Sequence, residues 1–243
     1  MKTNSVYLLM RVVSVRTILV MLTLSISMIP LLQAQENDGF PEVFTLNSKP
    51  FGVSYTEWTA RWWQWALSIP DKVNPITDLT GEHCSEGQKG PVWFLGGTWG
   101  GSAERTCTIP AGKAILWAPI NYSCSPAEFL ELNTEAELRQ CTKEPMDKVI
   151  AVGVKINGTN SPNLKEFRVQ SPVFDFSYPE GNVIGKPPQK TFGVSDGYWI
   201  FLKPLAPGKY EIESTGTYLS PDPSTGTPTA FSNTVKYHLV VTP

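Results

Sequence analysis

Metal ligands and charged side chains are scarce in this sequence of 243 residues. Histidine occurs twice, at His83 and His238, and no Cys-x-x-Cys pair is present, so the ligand spacing of a structural zinc site is absent. Charged residues make up 17% of the chain and the net charge is −2, which gives no electrostatic basis for binding nucleic acid or an anionic membrane surface. We therefore expect no metal, no cofactor and no nucleic-acid partner.

Long apolar runs are scarce as well, because the only one is the segment TILVMLTLSISMIPLL near the N-terminus. Lys2, Arg11 and Arg16 precede this run, which at 16 residues is shorter than a membrane span of about 20. The pattern predicts a signal peptide over residues 1–34, cleaved after Ala34, with an uncleaved anchor as the alternative. Residues 35–243 are then expected to form a single domain that is secreted, periplasmic or on the cell surface, without a membrane span.

Four cysteines in an exported chain indicate two disulfide bonds. Cys84, Cys107, Cys124 and Cys141 allow three pairings, and sequence alone does not choose between them. We favour Cys84–Cys107 and Cys124–Cys141, because each pair closes a short loop around a single element.

Four of the eight tryptophans lie within the eight positions 58–65, in the stretch SYTEWTARWWQWALSIP. Ser54 and Glu57 match a capping box, and Pro70 prevents continuation, so the pattern predicts a helix over residues 55–69. An apolar stripe along this helix predicts a face buried in the core, and its members are Tyr55, Trp58, Trp62, Trp65 and Ile69. Trp63 falls outside the stripe and is a candidate surface contact for a ligand.

The rest of the chain has the pattern of short strands separated by glycine and proline. Predicted strands include PVWFL, RTCTI, KAILWAPI, DKVIAVGVKI, EFRV, VFDFSY, YWIFL and TVKYHLVV. Capping boxes at Ser125–Glu128 and Thr134–Glu137 predict two short inserted helices. Around Tyr210 the sequence resembles the tyrosine corner of immunoglobulin-like sandwiches. We expect a mainly β fold, an antiparallel immunoglobulin-like β-sandwich with an N-terminal aromatic amphipathic helix.

Three segments together resemble a family of exported prokaryotic proteins. These are SYTEWTARWWQWALSIP, GQKGPVWFLGGTWGGS and IPAGKAILWAPIN, which span most of residues 51–121. The resemblance implies export and a shared fold, and it transfers no activity.

Two patterns raise the question of catalysis. The segment GVSDG fits the nucleophile motif G-x-S-x-G, with Ser195 followed by Asp222 and His238, but no helix follows it as that motif requires. We predict a hairpin turn at 193–197 instead. A pair of carboxylates is the second possibility, as in glycosidases, and the candidates are Glu57, Glu128, Asp175 and Glu180.

A glycine-rich loop, GGTWGG, holds Trp99 either displayed to solvent or folded over the core. Displayed aromatic rings on β scaffolds suit stacking on sugar rings or on partner surfaces. We predict Trp63, Trp99 and Tyr122 as ligand-binding residues of an exported, non-catalytic binding or cell-envelope structural protein whose partner is a glycan or an envelope component. The alternative is a carbohydrate-active hydrolase that uses a carboxylate pair. The sequence assigns no oligomeric state.

Overall fold

Strands dominate the structure and form two five-stranded sheets. The computed structural model describes residues 39–221 and 226–243. The first sheet contains β1 (Val92–Phe94), β3 (Ala114–Cys124), β8 (Gln189–Leu202), β6 (Arg168–Gln170) and β7 (Phe174–Tyr178), in the order β1-β3-β8-β6, with β7 also paired to β8. The second sheet contains β2 (Gly101–Pro110), β10 (Pro228–Thr242), β9 (Gly208–Pro221), β4 (Val149–Ile156) and β5 (Thr159–Asn160), in that order. The helices are α1 (Tyr55–Ser68) and α2 (Glu135–Asp147), with 3₁₀ turns at Pro50–Gly52, Asp71–Val73 and Leu164–Phe167.

Both sheets are mixed, so the expectation of a purely antiparallel sandwich is wrong. β1 runs parallel to β3, and β2 runs parallel to β10 along its whole length. The physical reason is the turn at 110–112, which joins β2 to β3 but sends the two strands into different sheets. Each then lies beside a strand of the same direction, and for β2 that strand is the last one in the chain.

The central strands β3 and β8 are buried on both faces, which explains why they have nearly continuous apolar sequences. On one face Leu116 and Phe201 pack with the aromatic residues of α1. On the other face Trp117 and Ile200 pack with the inward side chains of the second sheet. The result is three layers, with α1, the first sheet and the second sheet in succession.

Helix α1 begins at Ser54, whose hydroxyl accepts a hydrogen bond from the backbone N–H of Glu57. All five members of the predicted stripe are buried. Trp63 is only 3% exposed, so its predicted place at the surface is wrong. It belongs to a second apolar row with Ala60 and Leu67, and strand β7 packs against α1 and widens the buried face.

Only one of the two predicted inserted helices forms. Thr134 and Glu137 make both hydrogen bonds of the capping box at the start of α2. The segment after Ser125 makes turns instead. There the Ser125 hydroxyl donates to the Glu128 carboxylate (2.8 Å), but the two backbone hydrogen bonds of a capping box are not made. The same four-residue pattern therefore has two outcomes in this chain.

A β-bulge changes the face of strand β4 at its beginning. The predicted alternation places Ile150 with Val152, Val154 and Ile156, and the last two are buried. Ile150 is 61% exposed, because the pairing of β4 with β9 shifts register between Val149 and Ala151. A bulge inserts one unpaired residue and reverses the side-chain alternation before it.

Both predicted disulfides are present, Cys84–Cys107 and Cys124–Cys141. They indicate an oxidising, extracellular environment. Residues Gln35–Pro243 form one compact unit. Within the described part of the chain, no helix has the length and apolar character needed to cross a membrane. The predicted signal peptide, residues 1–34, lies outside the described residues.

Candidate functional site

An open groove of about 650 Å³ lies where helix α2 and the second sheet meet. Val194 and Ile200 lie on the same face of β8. The first packs with α2 and the second with the second sheet, so the two elements share one face of the first sheet. At this junction β9 approaches β3 so closely that a Cβ atom on Gly216 would lie 2.4 Å from the Cβ of Ile120. The groove is the gap between α2 and the second sheet on this face of the first sheet.

Aromatic rings form one wall of the groove. Tyr122, at the end of β3, and Tyr218, on β9, meet edge to face with ring centroids 6.2 Å apart. Phe231, on β10, stacks on Tyr218 with ring centroids 5.0 Å apart. Burial raises the pKa of Tyr218 to about 12, and burial together with the charge of Glu128 raises the pKa of Tyr122. Both hydroxyls therefore stay protonated at neutral pH and remain hydrogen-bond donors.

Tyr122 is the one predicted ligand-binding residue that lies in this groove. The opposite wall comes from α2 and the turn before it, and its side chains include Phe129, Glu131, Leu132, Glu137, Gln140, Cys141, Glu144 and Lys148. Cys141 is fixed to β3 by its disulfide with Cys124, so the two walls are covalently connected near the base of the groove.

Trp99 lies on the loop before β2, and its side chain is 44% exposed. Of the two placements expected for it, display and cover of the core, the exposure favours display. The following residue, Gly100, lies against the ring of Phe231, where a Cβ would be 3.3 Å from the ring edge. A row of aromatic side chains thus extends from the Trp99 loop through Phe231 and Tyr218 to Tyr122.

The base of the Trp99 loop is held by side chains that sequence reasoning missed. Asn233 accepts hydrogen bonds from the backbone N–H (3.1 Å) and hydroxyl (3.0 Å) of Thr98. Arg105 donates to the carbonyl oxygens of Gly96 (2.8 Å) and Gly97 (2.9 Å). The loop is therefore anchored at its base although it is rich in glycine.

The four candidate carboxylates of a hydrolase lie in different surroundings. Glu57 lies 3.6 Å from Arg61, while Asp175 and Glu180 are exposed to solvent. Glu128 is half-buried, and burial raises its pKa. Its electrostatic neighbours are Ser125, Tyr178, Lys186 and Tyr122, and no second carboxylate is among them in the described residues.

The G-x-S-x-G segment is not a turn, so that prediction is wrong. Residues 193–197 lie inside β8, and Ser195 is fully buried. The glycines are explained by packing, since a Cβ on Gly193 would lie 2.9 Å from the Cys124 carbonyl oxygen and one on Gly197 would lie 2.5 Å from the Asn121 Cβ. His238 faces solvent beside Glu104 (2.7 Å), and Asp222 lies outside the described residues.

Among residues 39–221 and 226–243, no cluster of three or more His, Cys, Asp or Glu side chains could hold a metal ion. Comparison of the chain with protein-family models, with curated proteins and with solved structures finds no match. The interpretation of the groove therefore depends on its own chemistry.

The sequence analysis missed Tyr218, which lines the groove, and Phe231, which stacks on it. Tyr218 does follow the inward alternation of Ile212, Ser214 and Gly216 along β9. That signal predicts core burial for it, since alternation alone does not show that the second sheet ends above Tyr122 and leaves the ring at a groove.

Proposed function

We propose that this protein is an exported, non-catalytic binding protein of the cell envelope or extracellular space that holds a glycan in the groove between α2 and the second sheet. The observation that carries the proposal is the row of aromatic side chains, Tyr122, Tyr218 and Phe231, that leads from the groove to the loop on which the exposed Trp99 lies. Rings with one apolar face and a polar edge are suited to stacking on sugars. Concave sites with an apolar lining and a few polar groups are the usual place for small ligands.

Rigidity supports the same proposal. The aromatic residues lie on paired strands or on a loop anchored by Arg105 and Asn233. Less conformational entropy is then lost when a ligand binds than for a flexible loop. Export is part of the proposal and is supported by the two disulfides. An immunoglobulin-like arrangement is also proposed, supported by the Tyr210 hydroxyl, which donates to the Ala206 carbonyl oxygen (3.0 Å) as in a tyrosine corner.

A glycan array followed by calorimetry with the best oligosaccharide tests the proposal. We expect Tyr122→Ala and Trp99→Ala to weaken binding by ~1–3 kcal/mol each, and Trp99→Ala to keep the melting temperature within a few degrees. Phe51→Ala is the matched control for Trp99→Ala, because Phe51 (48% exposed) and Trp99 (44% exposed) are similarly exposed aromatic residues and Phe51 does not line the groove. Binding that is unchanged in both groove-side variants, or an array without any bound glycan, would reject the proposal.

The hydrolase remains the second candidate because of Glu128, whose raised pKa suits a general acid. A carboxyl with a raised folded-state pKa favours folding below its ordinary value of 4.5, and this contribution is lost as the pH rises through the folded-state pKa. If Glu128 is only a buried structural carboxyl, Glu128→Gln should raise the melting temperature more at pH 7 than at pH 4, without any effect on glycan turnover. Hydrolysis of an oligosaccharide by the wild-type protein that Glu128→Gln abolishes would establish the enzyme instead.

A further inference from the structure

The groove carries an excess of negative charge that the chain as a whole does not have. Among the residues that the structure describes, three carboxylates line it, from Glu131, Glu137 and Glu144, against one cation, Lys148. The net charge of the complete chain is only −2, with 22 acidic and 20 basic residues. The acidic excess in the groove is therefore local.

These carboxylates are also not neutralised by neighbouring cations. Elsewhere, exposed acids such as Glu57, Glu135 and Glu213 lie within 4 Å of an arginine or lysine. None of the three groove carboxylates has such a partner among the described residues. Glu137 accepts its hydrogen bonds from Thr134 and from backbone N–H groups, and Glu144 accepts one from Gln140.

The aromatic wall adds a second source of attraction for a cation. Tyr122 and Tyr218 meet at 85°, so the corner between them presents the electron-rich face of one ring and the edge of the other. Ring faces attract ammonium groups, and the carboxylates that line the same groove strengthen that attraction. A neutral ligand could stack on the tyrosine rings, but the carboxylates would not attract it.

A cationic peptide that binds by pairing with a free sheet edge could also bring positive charge to the groove. At Tyr218, strand β9 is already paired on both sides, with β10 and with β4. Among the described residues, Tyr218 therefore offers no free edge for an added strand, whereas the ring faces of tyrosines match the flat faces of pyranose rings.

From the proposed function together with this charge, we infer that the groove selects a glycan whose sugars carry free, protonated amino groups over the same glycan in N-acetylated form. The rings stack on Tyr122 and Tyr218, and the ammonium groups face Glu131 and Glu144. Glu137, which caps α2, adds to the negative potential of the groove.

Calorimetry of the full-length protein with two matched probes tests the inference. The probes are the β-1,4-linked glucosamine hexasaccharide and its fully N-acetylated counterpart, at about pH 5.5, where carboxylates are ionised and amines protonated. We expect the free-amine hexamer to bind about tenfold more tightly at low salt. The difference should fall to about twofold or less at ~0.5 M NaCl, because salt screens exposed charges.

Charge variants locate the effect in the groove. Glu131→Gln combined with Glu144→Gln should remove most of the preference for the free amine and leave the affinity for the acetylated hexamer unchanged. Glu213→Gln is the control, since Glu213 is an exposed glutamate on β9 that pairs with Lys155 outside the groove. Circular dichroism of each variant verifies that the fold is retained.

The possible failures are distinguishable. Equal affinities, or tighter binding of the acetylated hexamer, would overturn the inference and leave glycan binding in place. If neither hexamer binds while the array shows another bound glycan, the inference is also overturned and glycan binding is retained. A lysine hexapeptide that binds as tightly as the free-amine hexamer would overturn the choice of a sugar, since charge alone would then explain the attraction. If no glycan binds at all, the proposed function fails together with the inference.

Discussion

Arg105 is a charged side chain in an inward-facing row of β2 that otherwise contains Ala103, Cys107 and Ile109. It is 1% exposed, and all five of its N–H groups donate hydrogen bonds. The acceptors are the carbonyl oxygens of Asp78, Gly96, Ile76 and Gly97 and the hydroxyl of Tyr237, at 2.6–2.9 Å. Among the described residues no carboxylate pairs with it, so peptide dipoles balance its charge. One side chain thereby joins two loops to β10.

Replacing Arg105 by lysine tests this role. Lysine keeps the charge but has three donors on one nitrogen, so at least two acceptors lose their partners in a buried site. We expect Arg105→Lys to lower the free energy of unfolding by ~3 kcal/mol or more, measured by urea denaturation. Arg61→Lys on the exposed side of α1 should change it by about 0.5 kcal/mol or less. A loss below ~1 kcal/mol for Arg105→Lys would show that the fork geometry is unimportant.

Trp62, on α1, is the centre of the aromatic cluster between α1 and the first sheet. Its ring contacts Trp63, Trp65 and Trp199 with centroids 5.2–5.8 Å apart, and its Nε1–H donates to the Leu95 carbonyl oxygen at 2.9 Å. Trp62→Ala should therefore cost ~3–5 kcal/mol of stability, while Trp99→Ala removes the same atoms from an exposed site and should cost about 1 kcal/mol or less. Equal losses in thermal unfolding would contradict the assignment of Trp62 to the core.

At the scale of elements, α2 is the part of the fold most dependent on specific bonds. It packs on the first sheet through a few residues, Leu138, Thr142 and Met146. The Cys124–Cys141 disulfide ties it to β3. Arg168 adds a second tie, because it makes two hydrogen bonds to the buried Asp196 of β8 and also lies 2.9 Å from Asp147 at the end of the helix. The position of the acidic wall of the groove therefore depends on these ties.

Removing each disulfide separately tests that dependence. Cys124→Ala with Cys141→Ala, and Cys84→Ala with Cys107→Ala, open loops of 17 and 23 residues in separation, so each should cost ~3 kcal/mol by the loop-entropy estimate. Only the first pair holds a wall of the groove. We expect glycan affinity, measured under conditions where both variants are folded, to fall for the first pair and to stay unchanged for the second.

The helices show which features of the fold can be predicted from the sequence and which cannot. The ends of α1 follow from local chemistry, from the Ser54 cap and Pro70, and the sequence predicts them within a residue. Its second buried row, which contains Trp63, follows from β7 packing beside it, and no local pattern contains that information. Ser125–Glu128 and Thr134–Glu137 have the same capping pattern, and in both the hydroxyl donates to the glutamate carboxylate. Only the second also makes the two backbone hydrogen bonds of the capping box, and only the second begins a helix.

At the scale of the molecule, the three-layer arrangement makes β3 and β8 the interior of the fold. Local alternation predicts most strands, but the parallel pairs β1–β3 and β2–β10 join segments whose pairing no short pattern specifies. The groove depends on the same long-range arrangement, because it exists where the second sheet stops and α2 begins. The sequence analysis proposes Tyr122 as a ligand-binding residue. It does not propose its neighbours Tyr218 and Phe231, because no local pattern shows that they lie beside Tyr122.

Amide hydrogen exchange provides a test of this layering. Amides of β3 and β8 are covered on both faces and should exchange only by global unfolding, so they should be the slowest in the chain. Amides of β4, which has exposed residues along its length, and of α2 should exchange sooner. Mass spectrometry of deuterated peptides distinguishes the segments. Protection in β4 that exceeds protection in β8 would contradict the layer order.

The partners of α1 also have a consequence for the time at which the chain can fold. Tyr55 donates to the carbonyl oxygen of Trp199, a residue 144 positions later, and Phe201 completes the same cluster. During synthesis the four tryptophans of α1 therefore stay exposed until β8, which contains Trp199 and Phe201, has been made. Contacts between segments so distant in sequence slow folding. A chain that ends before β8 lacks Trp199 and Phe201, and it should therefore aggregate through its uncovered indole rings.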